Sequence, residues 1–130
     1  MLTLTIRTDK PEAELGLYDG LKQLAYFNWL ADRQLAETIH LKLKQLLDEQ
    51  GLALNDLQGI VAYKGPGSFT GLRIGLSVAN ALAAGINIPI VAVTGQDWQA
   101  EGIKRLSLNK NDKIALPKYG SPPHITKPRK

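Results

Sequence analysis

One hundred and thirty residues, 44% of them hydrophobic, are enough for one small domain with a modest core. The absence of cysteine excludes disulfides and thiolate metal sites and suits a reducing compartment. The net charge of +4 is unevenly spread: residues 104–130 hold eight Lys or Arg against one acid, Asp112, whereas residues 1–103 hold eight basic against eleven acidic side chains. A basic tail on an acidic body fits both a polyanion partner and a merely solvated terminus.

In chain order, Leu2-Thr3-Leu4-Thr5-Ile6 alternates as a half-buried strand does. Asp9-Lys10-Pro11 reads as a turn, and Ala13, Leu15 and Leu17 carry the period-two pattern on to Tyr18. Asp19-Gly20 then marks a hairpin into residues 21–29. Residues 31–50 read as a helix with Leu35, Ile39, Leu43, Leu46 and Leu47 on one face and Gly51 at its stop. A short helical turn at 54–57 precedes a buried strand at 59–63. After a glycine turn comes a helix at 70–84, then an apolar strand at 88–93 of the parallel-sheet kind and a weak helix at 96–105. From Ala115 onward, four of the seven prolines make the chain extended, docked or disordered. The order predicts an α/β lobe with a mixed sheet of about five strands, opened by a three-stranded antiparallel meander, and two main helices. Its bounds are set at residues 1–105, with 106–130 as a basic, proline-rich tail. No apolar run approaches the ~18 residues of a membrane helix, and MLTLTIRTDK lacks the pattern of a signal peptide. A cytoplasmic protein without a membrane partner is expected.

Gly65-Pro66-Gly67 between a strand and a helix is a setting in which backbone amides cradle phosphate. Yet Leu72 stands where a P-loop needs lysine, and the glycine spacing misses the dinucleotide fingerprint. Gly65, Gly67 and Ser68 are therefore candidate phosphate contacts, set against the simpler reading of a tight turn. The helix beyond is more informative. Its polar members Arg73, Ser77 and Asn80 share one narrow sector, so apolar residues cover well over half its circumference. Gly71 and Gly75 form a G-x-x-x-G step that admits another backbone. An internal helix between sheet and first helix and a partner surface both satisfy this pattern.

The run GPGSFTGLRIGLSVANALA with the later NIPIVAV resembles the bacterial TsaB family, which acts in making threonylcarbamoyladenosine in tRNA. The likeness is strongest over residues 51–93 and extends more weakly back to the opening hairpin. Pro117-Lys118-Tyr119 is matched to the short P-x-Y segment near the family's end. The resemblance implies an actin-like (ASKHA, RNase H-like) lobe and a non-catalytic relative of the transferase TsaD that binds TsaD and is joined by the ATPase TsaE. It also implies that the helix after the glycine turn meets TsaD, which makes Gly71, Leu72, Ile74, Gly75, Val78 and Leu82 the expected partner contacts.

The departures matter. Family members are longer and two-lobed, and one lobe cannot enclose a nucleotide. Where the family reads I-D-T-S, this chain has Ile6-Arg7-Thr8-Asp9, and an arginine cannot ligate Mg²⁺. Where TsaD carries two metal-binding histidines, the chain reads Thr94-Gly95-Gln96-Asp97-Trp98-Gln99. His40 fits packing or surface better than ligation, His124 has no second ligand nearby, and Asp48-Glu49 fits a solvated helix end. No catalytic set, cofactor or metal is expected. The expectation is a scaffold subunit, with tRNA met indirectly or through Lys118, Lys127, Arg129 and Lys130; for the chain alone, monomer and homodimer through the same helix both stay open. Two alternatives stay open: a small actin-like kinase or hydrolase, and a basic-tailed tRNA-binding module.

Overall fold

The computed structural model describes residues 1–118. Strands β1 (Leu2–Arg7), β2 (Glu12–Asp19) and β3 (Lys22–Leu30) form the antiparallel meander. Helix α1 (Leu35–Glu49) follows a single 3-10 turn. Strand β4 (Gly59–Tyr63), helix α2 (Phe69–Ile86), strand β5 (Ile90–Val93) and helix α3 (Trp98–Ser107) complete the lobe. The sheet order is β3-β2-β1-β4-β5, with β4 parallel to both β1 and β5. All the predicted elements form, and the weak helix expected at 96–105 beside the two main ones is α3.

Alternation along the strands builds two cores. Leu4 and Ile6, Leu15 and Leu17, Ile60 and Ala62, and Ile90 and Ala92 meet α1 and α2 on one face. Val61, Tyr63, Val91 and Val93 meet Trp98, Ile103 and Leu106 of α3 on the other. Glycine sets the depth of that second contact, because a Cβ at Gly102 would collide with Val61. Strand β1 departs from the half-buried reading. It lies between β2 and β4, so Thr3 and Thr5 are buried along with the leucines. The Thr3 hydroxyl has no hydrogen-bond partner among the described residues.

Helix α2 lies beside α1 over the sheet. Its termini are set by Ser68, whose Oγ accepts from the Gly71 N–H at 3.4 Å, and by Asn87 in the left-handed region at φ 57°. By length and composition it is long and apolar enough to cross a membrane, which corrects the expectation that no run approaches that length. Here it buries Leu72, Gly75, Leu76, Ala79 and Ala83 in the lobe.

The segment after α3 is packed on the lobe rather than free of it. The Arg105 guanidinium holds Asp112 at 2.8 Å. Asn80 grips Ala115 from both sides: its Nδ2 donates to the Ala115 carbonyl at 3.0 Å, and its Oδ1 accepts from the Ala115 N–H at 2.7 Å. The Lys118 N–H then donates to the Lys64 carbonyl at 2.6 Å. The 105/106 boundary falls inside α3, and the chain through residue 118 is continuous with the lobe.

Candidate functional site

The glycine turn leans on the loop after β1. The Ser68 N–H donates to the Asp9 carbonyl at 2.9 Å, and a Cβ at Gly67 would collide with Asp9. Gly65 sits at φ +113°, where a side chain would also strike the Lys118 carbonyl. The Thr94 hydroxyl donates to the Gly65 carbonyl. Of the candidate phosphate contacts, Gly65 is buried, while Gly67 and Ser68 are exposed. Each is explained by the turn's own packing.

The G-x-x-x-G step has an occupant within the chain. The Thr8 hydroxyl donates to the Gly71 carbonyl at 2.7 Å. A Cβ at Gly71 would meet the Thr8 carbonyl, and one at Gly75 would overlap the Thr8 side chain. Gly75 and Leu72, the latter 0% exposed, thus face the lobe itself. Neither offers a free surface in this chain, and Gly71 is half-buried against Thr8.

The other three expected contacts fall differently. Ile74, Val78 and Leu82 are half-buried and line the trough between α1 and α2. Ile74 and Val78 meet Ala36, His40, Thr70, Arg73 and Ser77 around a groove of about 420 Å³. His40 also lines a neighbouring groove of about 620 Å³, walled by Leu43, Leu47, Leu52, Leu54 and Leu82. The two grooves share His40 and together trace a trough along α1, apolar at its Leu-lined end and mixed around Arg73 and Ser77. The partner reading of the α2 wheel therefore survives on one flank and the internal reading takes the other.

At the end of β1, Arg7 is clamped. Its Nε donates to Asp9 Oδ1 at 2.8 Å and its Nη2 to Asp9 Oδ2 at 3.1 Å. Its guanidinium carbon lies 3.9 Å from the centroid of the Tyr63 ring, within cation–π range. Tyr63 in turn meets Trp98 edge-on, with ring centroids 5.7 Å apart. The hydrogen bond to Asp9 raises the Arg7 pKa above its ordinary value, against desolvation. Asp9 lies in the turn that the sequence predicts, and there it is a buried carboxylate beside the glycine turn, with both oxygens engaged by Arg7. The signal was its spacing of two from Arg7, which places both groups at one strand end.

The remaining candidates are peripheral. Asp48 pairs with Lys44 at 3.0 Å on an exposed face, and Trp98 of the Thr94–Gln99 stretch is buried packing. Among the described residues no three His, Asp or Glu side chains come together as a metal site. Lys118 is exposed, while Lys127, Arg129, Lys130 and His124 lie outside the described residues.

Comparison with known proteins puts this geometry in context. A family model described as TsaD, tRNA N6-adenosine threonylcarbamoyltransferase, matches residues 29–113. The tRNA threonylcarbamoyladenosine biosynthesis protein TsaB of Haemophilus influenzae is 32% identical over 116 residues, which are 89% of this chain and 48% of that protein. The solved structure of YeaZ from Pseudomonas aeruginosa superposes with a TM-score of 0.67 at 30% identity, over 72% of this chain and 43% of that one. RuvC of Thermus thermophilus, bound to a Holliday junction, is 16% identical with a TM-score of 0.55 over 96% of this chain and 85% of its own, a likeness of fold alone. The chain spans about half the length of the curated TsaB relatives it matches.

Proposed function

The chain belongs to the TsaD family and is TsaB-like within it, and from that premise we propose that it is a non-catalytic scaffold in tRNA threonylcarbamoyladenosine synthesis. Its partner is a TsaD-type transferase, joined by a TsaE-type ATPase, in the cytoplasm. The observation that carries the reading is the trough between α1 and α2. Ile74, Val78 and Leu82 stand half-buried along it, apolar enough to gain from a partner's cover and fixed by the packing of α2 on the sheet. Burying apolar surface contributes about 25 cal/mol per Å² before the costs of association, so covering these side chains with a partner helix favours the complex.

The non-catalytic part of the proposal rests on Arg7. Asp9 is the acid nearest the glycine turn, and its two oxygens are committed to Arg7 at 2.8 and 3.1 Å. Each oxygen keeps a second lone pair, but the guanidinium at this distance already compensates the carboxylate's charge and would repel a divalent cation brought beside it. The test is reconstitution of tRNA modification with the transferase and ATPase of the same organism. Activity should depend on adding the chain, and the chain alone should turn over no ATP. ATP hydrolysis by the pure chain, abolished by a Gly67 substitution, would favour the kinase or hydrolase reading instead.

A further inference from the structure

Five cations that hold no ion pair among the described residues stand at one end of the sheet. Lys10 lies in the loop after β1. Arg33 lies in the turn after β3, which is tied to that loop: the Ala31 and Asp32 N–H groups donate to the Pro11 carbonyl at 2.9 and 3.0 Å. Arg73 stands near the start of α2, at the same end. Lys64 follows β4, and the Lys118 N–H is bonded to its carbonyl.

Three of these cations flank one strip. Lys10 and Arg33 line a hollow of about 270 Å³ together with Ser68, Thr70 and Ile74. Thr70 and Ile74 also line the groove that holds Arg73, so hollow and groove are continuous at the mouth of the trough. All three cations are exposed. Arg73 is steadied by Phe69, its guanidinium carbon 5.4 Å from the ring centroid, within cation–π range. Asp32 is the carboxylate that lines the hollow, one against three cations. Glu12 and Glu14 alternate with Ala13 and Leu15 of the core under α1, and so stand on the opposite face of the sheet. The Ser68 hydroxyl accepts from the Gly71 N–H and keeps its own proton to donate. Thr70 adds a second exposed hydroxyl.

We propose that this strip holds the phosphate backbone of RNA, with Lys10, Arg33 and Arg73 as its phosphate contacts. Arg and Lys interleaved with Ser and Thr are the side chains that phosphate oxygens take. That the RNA is a tRNA rests on the role proposed above, whereas the contacts belong to this chain and need no partner. A scaffold has only to hold its transferase. Here the lobe also carries the substrate to the mouth of the trough in which the transferase sits.

The experiment is fluorescence anisotropy of a labelled, unmodified tRNA transcript titrated with the full chain between ~50 and ~200 mM salt. Lys10→Glu, Arg33→Glu and Arg73→Glu are set beside Lys22→Glu, the same charge change at the hairpin end of the sheet. Each of the first three should weaken binding about fivefold or more and lower the salt slope by about 0.7–0.9, at the wild-type melting temperature. Lys22→Glu should leave both near wild type. Lys127, Arg129 and Lys130 are present in every variant, so they cannot produce the difference. A wild-type chain that binds no tRNA, equal losses in all four variants, or strip variants that bind as the wild type does would each overturn the proposal. So would strip-dependent binding to vesicles of anionic phospholipid by a chain that ignores tRNA. Affinity for the transferase, measured without RNA, separates this from the scaffold reading. Lys10→Glu and Arg33→Glu should keep that affinity, and a wild-type chain that binds tRNA but no transferase would retain the strip and refute the scaffold.

Discussion

Thr8 decides what the glycines of α2 are for. Its hydroxyl bonds the Gly71 carbonyl across 63 residues of sequence, and its side chain fills the space a Cβ on Gly75 would need. Replacing helical glycine by alanine normally gains up to about 1 kcal/mol. Here overpacking against Thr8 costs about 1–3 kcal/mol, so Gly75→Ala should lower the melting temperature. The Gly75→Ala, Thr8→Ala double variant should recover part of the loss. A single variant that melts at or above the wild-type temperature would return Gly75 to the partner surface. Arg7 carries a second expectation. Arg7→Ala strands the buried Asp9 carboxylate, and breaking such a pair costs about 3 kcal/mol or more. Lys44→Ala, on an exposed helical pair, should cost only about 0.3–0.5 kcal/mol. Equal losses in chemical denaturation would contradict the buried-pair reading. The Thr8 contact is not legible in the sequence, and the Arg7–Asp9 pair shows there only as a spacing of two. Periodicity reports which face of an element is apolar and is silent on which distant loop fills it, so it leaves the G-x-x-x-G step open between lobe and partner and reads Thr3 and Thr5 as the polar side of a half-buried strand.

At the scale of elements the sequence was far more informative. Five strands and the principal helices appear in the expected order because each carries a full period of apolar residues, and DG and GPG mark the turns. The segment after α3 was the exception. Its alignment depends on Asn80 gripping Ala115, 35 residues away, and no local pattern announces such a clamp. Truncation after Lys118 should consequently leave the melting temperature in place, whereas truncation after Lys113 removes buried Ala115 and orphans Asn80. With hydrogen bonds contributing about 0.5–1.5 kcal/mol each, the shorter form should lose about 2 kcal/mol or more. The longer truncate separates fold from function. If Lys127, Arg129 and Lys130 meet phosphates, their loss should reduce the salt slope of tRNA binding by the assembled complex by about 0.7–0.9 per contact. An unchanged slope would make the tail's charge irrelevant to tRNA.

For the whole molecule, a single lobe joins two separable surfaces: a trough between helices on one face of the sheet and a basic strip at the trough's mouth. The family could be recognised from the run through α2 because that run combines the turn, the cap and the packing glycines. The division of α2 into a lobe-facing flank and a trough-facing flank needed the three-dimensional placement of α1 and Thr8. The scaffold claim stands or falls on the trough. Its most direct measurement is the affinity of the purified chain for the TsaD-type transferase of the same organism, taken beside Val78→Asp and the more exposed Ser77→Arg. A defined complex is expected, weakened about a hundredfold by either substitution, equivalent to about 3 kcal/mol, in variants that melt with the wild type. No complex with the wild-type chain, or a complex that both variants form equally well, would contradict the account.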